Sequence, residues 1–273
     1  MTQSAAKPDA ARAFRALHQS GLLILPNAWD AGSARIIEHA GAKAIATSSA
    51  AVAWARGYPD GEALPLDTLL AVVGEIVRVV GVPVSADIEA GFAPDAKAAG
   101  DFAARVVDAG AVGVNIEDGS GAPDLLAAKI ERVKRAGVNA GVDLWINART
   151  DVYLRQLAKG DAAYEQTVAR ARLYREAGAD SIFVPGAVEE ALVARLVGDV
   201  VLPLNVLAWP GLPPAAKLKQ LGVRRLSAGS GIAKVVLNSV HAMTQAFLAD
   251  GSSEPFSGGV LGNPQINKLM RRD

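Results

Sequence analysis

Asp87-Ile88-Glu89 sets two carboxylates two residues apart at the end of a short apolar run, Val82-Pro83-Val84-Ser85-Ala86. Side chains at i and i+2 of a strand share a face, so both acids are expected to look the same way. Gly91 follows almost at once and lets the backbone turn. Two acids held together at the end of a buried strand repel each other and lose hydration, a cost that a cation removes. That is the outline of a site for a hard metal ion.

Other polar residues stand at the ends of other apolar runs: Ser48-Ser49-Ala50, Glu117-Asp118, Asn147-Ala148-Arg149 and Asn205. Asp60 lies in the loop Gly57-Tyr58-Pro59-Asp60-Gly61. No His joins them, because His18, His39 and His241 all fall in expected helices. An all-oxygen set favours Mg²⁺ or Mn²⁺ over zinc, which takes His or Cys. Mg²⁺ keeps several waters. The expected arrangement therefore has Asp87 bound directly, with Glu89, Glu117 and Asp60 holding metal-bound waters. The guanidinium of Arg149 suits bidentate recognition of a carboxylate or phosphate, and an ion pair with Asp151 or Glu117 is its structural alternative. Ser48, Ser49 and Ala50 form either a plain turn or a pocket that offers hydroxyls and N–H groups to a substrate carboxylate. Asp30 reads as a helix N-cap. Asp118 and Asn205 are open between structure and site, as Trp29 and Trp54 are between pocket wall and core.

These residues need a scaffold that brings strand ends together. β-type runs occur at Leu22–Leu25, Ala44–Thr47, Val82–Ala86, Gly113–Ile116, Leu144–Ala148, Ser181–Val184, Leu202–Val206 and Arg225–Ser227. Helical stretches separate them. Several are introduced by a related phrase: Ala40-Gly41-Ala42, Ala109-Gly110-Ala111, Ala177-Gly178-Ala179 and Leu221-Gly222-Val223. A helix that ends on Gly and passes into a strand, repeated, implies parallel strands with helical crossovers. Eight such units match an α/β fold of the (β/α)₈ TIM-barrel type, whose active site lies at the C-terminal ends of the strands. A doubly wound sheet calls for an early G-x-G-x-x-G, and there is none. The turn Gly229-Ser230-Gly231 suits helix capping or phosphate. One domain is expected over 1–273, with 250–273 a C-terminal loop and helix extension that includes a short helix at Gln265–Met270.

Composition narrows the function. Lys+Arg and Asp+Glu number 28 each, which leaves no electrostatic footprint for nucleic acid or an anionic membrane. The chain has no Cys, so disulfides, zinc-thiolate sites and cysteine nucleophiles are excluded. The start, Met1-Thr2-Gln3-Ser4-Ala5-Ala6-Lys7-Pro8-Asp9, lacks the order of a signal peptide, and no apolar run reaches the roughly 18 residues that span a bilayer. A cytoplasmic location is expected.

In order along the chain, Pro26-Asn27-Ala28-Trp29-Asp30, Ser48-Ser49, Tyr58-Pro59-Asp60, Asp87-Ile88-Glu89-Ala90-Gly91-Phe92, Asn115-Ile116-Glu117-Asp118 and Asn147-Ala148-Arg149-Thr150-Asp151 resemble the isocitrate lyase / phosphoenolpyruvate mutase superfamily. The resemblance implies a (β/α)₈ barrel, commonly a tetramer with a terminal helix swapped between subunits. It also implies Mg²⁺ and a small 2-oxo acid or related carboxylate as ligand. Asp87 matches the direct metal ligand, Asp60, Glu89 and Glu117 the water-mediated shell, Ser48-Ser49 the carboxylate pocket and Arg149 its clamp. The departures bear on the reaction. Glu89 stands where the family usually has Asp. Glu117-Asp118 runs into Gly119-Ser120-Gly121-Ala122-Pro123-Asp124, without the Cys and His of the isocitrate and methylisocitrate lyase loop. Gly186 replaces the Glu that those lyases carry after the sixth strand, and the Asn/Lys lid of the phosphonate enzymes is missing. Losing a positioned general acid costs roughly 10²–10⁴-fold. The expectation is therefore a Mg²⁺-dependent carbon–carbon lyase or decarboxylase acting on a small 2-oxo dicarboxylate such as oxaloacetate, in a homo-oligomer. Phosphonopyruvate or phosphoenolpyruvate chemistry and a non-catalytic 2-oxo acid-binding barrel are the alternatives.

Overall fold

The computed structural model describes residues 3–259 and 261–271. Met1 and Thr2, at the start of the leaderless reading, and Val260, Arg272 and Asp273, in the C-terminal extension, lie outside the described residues. Nine parallel strands form one nearly closed barrel: β1 (Leu23–Leu25), β2 (Asn27–Ala28), β3 (Ile45–Thr47), β4 (Val84–Asp87), β5 (Gly113–Glu117), β6 (Trp145–Arg149), β7 (Ser181–Phe183), β8 (Leu204–Leu207) and β9 (Arg225–Ser227). Their order is β1-β9-β8-β7-β6-β5-β4-β3-β2, so the two ends of the sheet are consecutive pieces of chain.

The strand beyond the expected eight has a local cause. Pro26 has no N–H and interrupts what would otherwise be one strand. Before the break, the Leu25 carbonyl accepts from Ala228 N, beside β9; at the break, the Pro26 carbonyl accepts from Ala46 N of β3. The interrupted strand is the seam that closes the barrel.

Helices alternate with the strands and cover the sheet with apolar faces, as Leu69, Val72, Val73 and Ile76 do in Leu66–Val79. Glycines end several of them as expected; Gly110 (φ 107°) and Gly222 (φ 95°) adopt the left-handed conformation. The N-terminal helix, Gln3–Gln19, closes the barrel end opposite the strand C-termini. Its Phe14 and His18 are buried, and His18 stacks on Trp145, the first residue of β6, at 4.1 Å between ring centroids. Gly113, the first residue of β5, makes room: a Cβ there would stand 2.6 Å from Phe14 Cε1.

The expected C-terminal helix appears as Asn263–Met270 and docks on Ala31–His39, where Arg35 Nε donates to the Leu269 carbonyl (2.8 Å). Between barrel and tail, Gly231–Asp250 buries only Ala233 and exposes Val235, Leu237, Val240, Phe247 and Leu248. Among the described residues no helix is long and apolar enough to cross a membrane.

The bore of the barrel is more polar than the branched aliphatic filling usual for this architecture. Trp145 Nε1 donates to Ser181 Oγ (2.9 Å), and Ser181 Oγ to Asn147 Oδ1 (2.7 Å). Asn147 Nδ2 donates to Asn115 Oδ1 (2.8 Å), which also accepts from Arg225 Nη2 (3.1 Å). Arg225 on β9 thus reaches across the bore to β5. Among the described residues its Nε and Nη1 have no hydrogen-bond partner, and burial lowers its pKa to about 9.

Candidate active site

The strand C-termini bring Asp87, Glu117 and Arg149 to one rim as the last residues of β4, β5 and β6. Glu117 and Arg149 are register partners. Asp87 is buried; its backbone N–H donates to Thr47 Oγ1 (2.8 Å), and its Oδ2 accepts from Ser49 N (3.1 Å). Ser49 opens the helix Ser49–Ala55 and Ser48 occupies the N-cap position without a side-chain cap bond, so the Ser48-Ser49-Ala50 segment is a helix start set against Asp87.

Glu89 reaches the same place by a different route from the expected one. Strand β4 ends at Asp87, so strand alternation does not align the pair. Glu89 lies in a turn with φ 48°, and Phe92 follows with φ 50°. Left-handed conformations at such residues cost of order 1–3 kcal/mol and persist only where the surroundings enforce them. Four hydrogen bonds do so here. Glu62 N donates to Glu89 Oε2 (2.7 Å), Phe92 N donates to Glu62 Oε1 (2.7 Å), and buried Lys129 donates to the carbonyls of Ala90 (2.7 Å) and Ala93 (2.6 Å). Lys129 and Glu62 escaped the sequence reading. The available signal was a lysine beside Leu126, Ala127, Ile130 and Val133 on the buried stripe of Pro123–Asn139.

Asp60 is exposed in the loop before Leu66–Val79, and its charge helps to raise the pKa of Glu89. Asn205 belongs to the body of β8 and is wholly buried; its Oδ1 accepts from Ser227 Oγ (3.0 Å), while Nδ2 has no partner. Asp118 is structural: it accepts from Asp151 N (2.9 Å), Arg170 Nη1 (2.7 Å) and Tyr174 Oη (2.6 Å). Asp30 is an N-cap in a capping box with Ser33, as expected. Trp29 packs against the core.

Arg149 makes both of its alternative ion pairs. Nη1 lies 2.7 Å from Glu117 Oε2, and Nε and Nη2 donate to Asp151 Oδ1 (2.6 Å) and Oδ2 (3.1 Å). A guanidinium carries five N–H groups, so one remains on each terminal nitrogen.

The electrostatics fit a cation. Burial, followed by the charge of Asp87, pushes Glu89 up to about 7. Burial pushes Glu117 up to about 8, against the pull of Arg149. Asp87 is raised as well, again chiefly by burial. Three neighbouring carboxyls that resist ionisation are what a divalent ion relieves. Among the described residues no three His, Cys, Asp or Glu side chains are gathered so as to hold a metal ion by themselves.

The sequence profile of the phosphoenolpyruvate phosphomutase family matches residues 14–248. An uncharacterised protein of Mycobacterium tuberculosis is 38% identical over 223 residues, covering 80% of this chain and 81% of its own. An oxaloacetate decarboxylase of Paraburkholderia xenovorans is 29% identical over 238 residues, 82% of this chain and 77% of its own. The crystal structure of a putative lyase/mutase from Burkholderia cenocepacia J2315 superposes with a TM-score of 0.88 at 33% identity, over 97% of this chain and 96% of that one.

Proposed function

The chain belongs to the phosphoenolpyruvate phosphomutase family, within the superfamily of isocitrate lyases and phosphoenolpyruvate mutases, and from that premise we propose that it is a Mg²⁺-dependent carbon–carbon lyase of a small 2-oxo dicarboxylic acid such as oxaloacetate. The observation that carries this reading is the meeting of buried Asp87 and Glu89 with the partly buried Glu117 at one rim, each pushed toward its protonated form. Asp87 would hold the ion directly, and Glu89, Glu117 and Asp60 would hold its waters, with Mn²⁺ an acceptable substitute. When bound, the metal supplies Lewis-acid stabilisation of negative charge at a carbonyl oxygen.

The chain's own residues bind and orient. The free N–H groups of Arg149, with the Ser48-Ser49-Ala50 helix start, receive the carboxylate next to the keto group. Asn205 Nδ2, unpartnered on β8, is a further donor to the ligand. Loss of carbon dioxide breaks the bond between C3 and the remote carboxylate and leaves its electron pair as the pyruvate enolate, which takes a proton from water. No cysteine acid is required, and the chain has none. A homo-oligomer accords with the exposed apolar face of Gly231–Asp250.

The test is release of carbon dioxide from oxaloacetate with and without Mg²⁺, in wild type and Asp87→Asn. Metal-dependent turnover lost in the variant supports the reading. Phosphate release from phosphonopyruvate, with oxaloacetate left intact, would move it to carbon–phosphorus chemistry.

A further inference from the structure

A cavity of about 330 Å³ adjoins the acids, with Glu89, Glu117, Gly119, Lys129 and Arg155 in its lining. Its acidic side is the proposed cation shell; its cationic side has no role in that scheme. Lys129 is committed to the carbonyls of Ala90 and Ala93. Arg155 is not committed in the same way. It donates through Nε to Asp151 Oδ2 (2.8 Å), and its terminal nitrogens make no hydrogen bond among the described residues. Its side chain is 49% exposed.

Asp151 also receives Nε and Nη2 of Arg149, so one carboxylate orients both guanidinia, its Oδ2 shared between Arg149 Nη2 and Arg155 Nε. Arg149 is divided between Glu117 and Asp151, whereas Arg155 meets Asp151 through Nε and keeps its terminal nitrogens for a ligand. The loop opposite comes close to the guanidinium: at Gly119 (φ 53°) a Cβ would stand 3.8 Å from Arg155 Nη2, in van der Waals contact.

Resting on the function proposed above, we propose that Arg155 determines specificity by taking the second carboxylate of a short 2-oxo dicarboxylic acid. The chelating end meets the cation shell and Arg149, and the remote carboxylate meets the free edge of Arg155, a bidentate pairing that suits a planar fork. A 2-oxo acid with one carboxylate leaves that edge unmet.

The test is isothermal titration in excess Mg²⁺ with two probes, pyruvate and the non-cleavable 3,3-difluorooxaloacetate, on wild type, Arg155→Met and Arg155→Lys. Arg155→Met is expected to weaken the dicarboxylate by about 10- to 100-fold, as loss of a charge-assisted pair does, and to leave pyruvate unchanged. Arg155→Lys is expected to fall between, and retained pyruvate binding shows that the site is still folded. Equal weakening of both probes, or unchanged binding of the dicarboxylate, overturns the role of Arg155 while leaving the cation site intact. Failure of wild type to bind either probe overturns the inference together with the function on which it rests.

Discussion

Glu117 and Arg149 face each other in register at the ends of β5 and β6, with Oε2 2.7 Å from Nη1. Asp151 holds the rest of the guanidinium. The side chain that reads in the sequence as a handle for substrate is thus first a brace between the partly buried Glu117 and the buried Asp151, offering a ligand only its two remaining N–H groups.

Arg149→Met should therefore cost stability as well as binding. Breaking a buried pair by removing one partner typically costs about 3–5 kcal/mol. Urea unfolding is the measure, with Arg149→Lys expected to recover part of the loss because the charge remains. A variant as stable as wild type would show that Glu117 and Asp151 need no brace.

Lys129 is a positioning residue for Glu89. With its two bonds gone, the turn over 89–93 keeps only the Glu62 contacts against its left-handed strain, and the acid is held less firmly in place. Lys129→Met should lower Mn²⁺ affinity by about 10- to 100-fold, the usual effect of losing a group that orients a metal shell. Unchanged affinity in a folded variant would remove Lys129 from the account.

The raised acids make stability depend on pH. Glu89 and Glu117 have ordinary values of 4.5 and folded values of about 7 and about 8. Between those limits the folded state binds more protons than the unfolded one, so stability falls as pH rises, by at most about 1.4 kcal/mol per pH unit for each group. His18 acts oppositely at lower pH, because burial lowers it from 6.5 to about 3 and protonation there favours unfolding. The informative interval is thus pH 6.5 to 8.5. Thermal melts without metal should decline across it, and excess Mg²⁺ should reduce the decline if it binds the folded state as proposed. A flat profile without metal would mean that the acids are not coupled as described.

Packing at the opposite end offers a check independent of the site. Gly113→Ala drives a methyl into Phe14 and should destabilise by about 1–3 kcal/mol, as overpacking does. Phe14→Leu, which gives up the ring, should restore part of the loss in the double variant. Additive losses would place the strain elsewhere.

The barrel was legible because helix–glycine–strand repeats are local signals, and each expected strand lies within a few residues of an observed one. The seam was not read, since Pro26 becomes a break only when both of its flanks have partners. Asp87, Glu117 and Arg149 were legible as polar ends of apolar runs. Glu89 was found for an incomplete reason, because a turn rather than strand alternation brings it to Asp87. Asn205 and Arg225 point into a bore that exists only after closure, and Lys129 and Arg155 acquire meaning from loops distant in sequence. Of these, Lys129 carries a local mark, its place on the buried stripe of Pro123–Asn139; the others have none that separates them from surface polar groups.

The central claim is that Asp87, with Glu89 and Glu117, holds a divalent ion to which a 2-oxo acid binds. Mn²⁺ titration followed by electron paramagnetic resonance, with and without pyruvate, tests it most directly in wild type and Asp87→Asn. Wild type should bind Mn²⁺ stoichiometrically and more tightly with pyruvate, and the variant should lose roughly 100-fold or more, beyond the effect of an orienting group alone. Absence of stoichiometric Mn²⁺ in wild type, or binding that Asp87→Asn leaves unchanged, would contradict it.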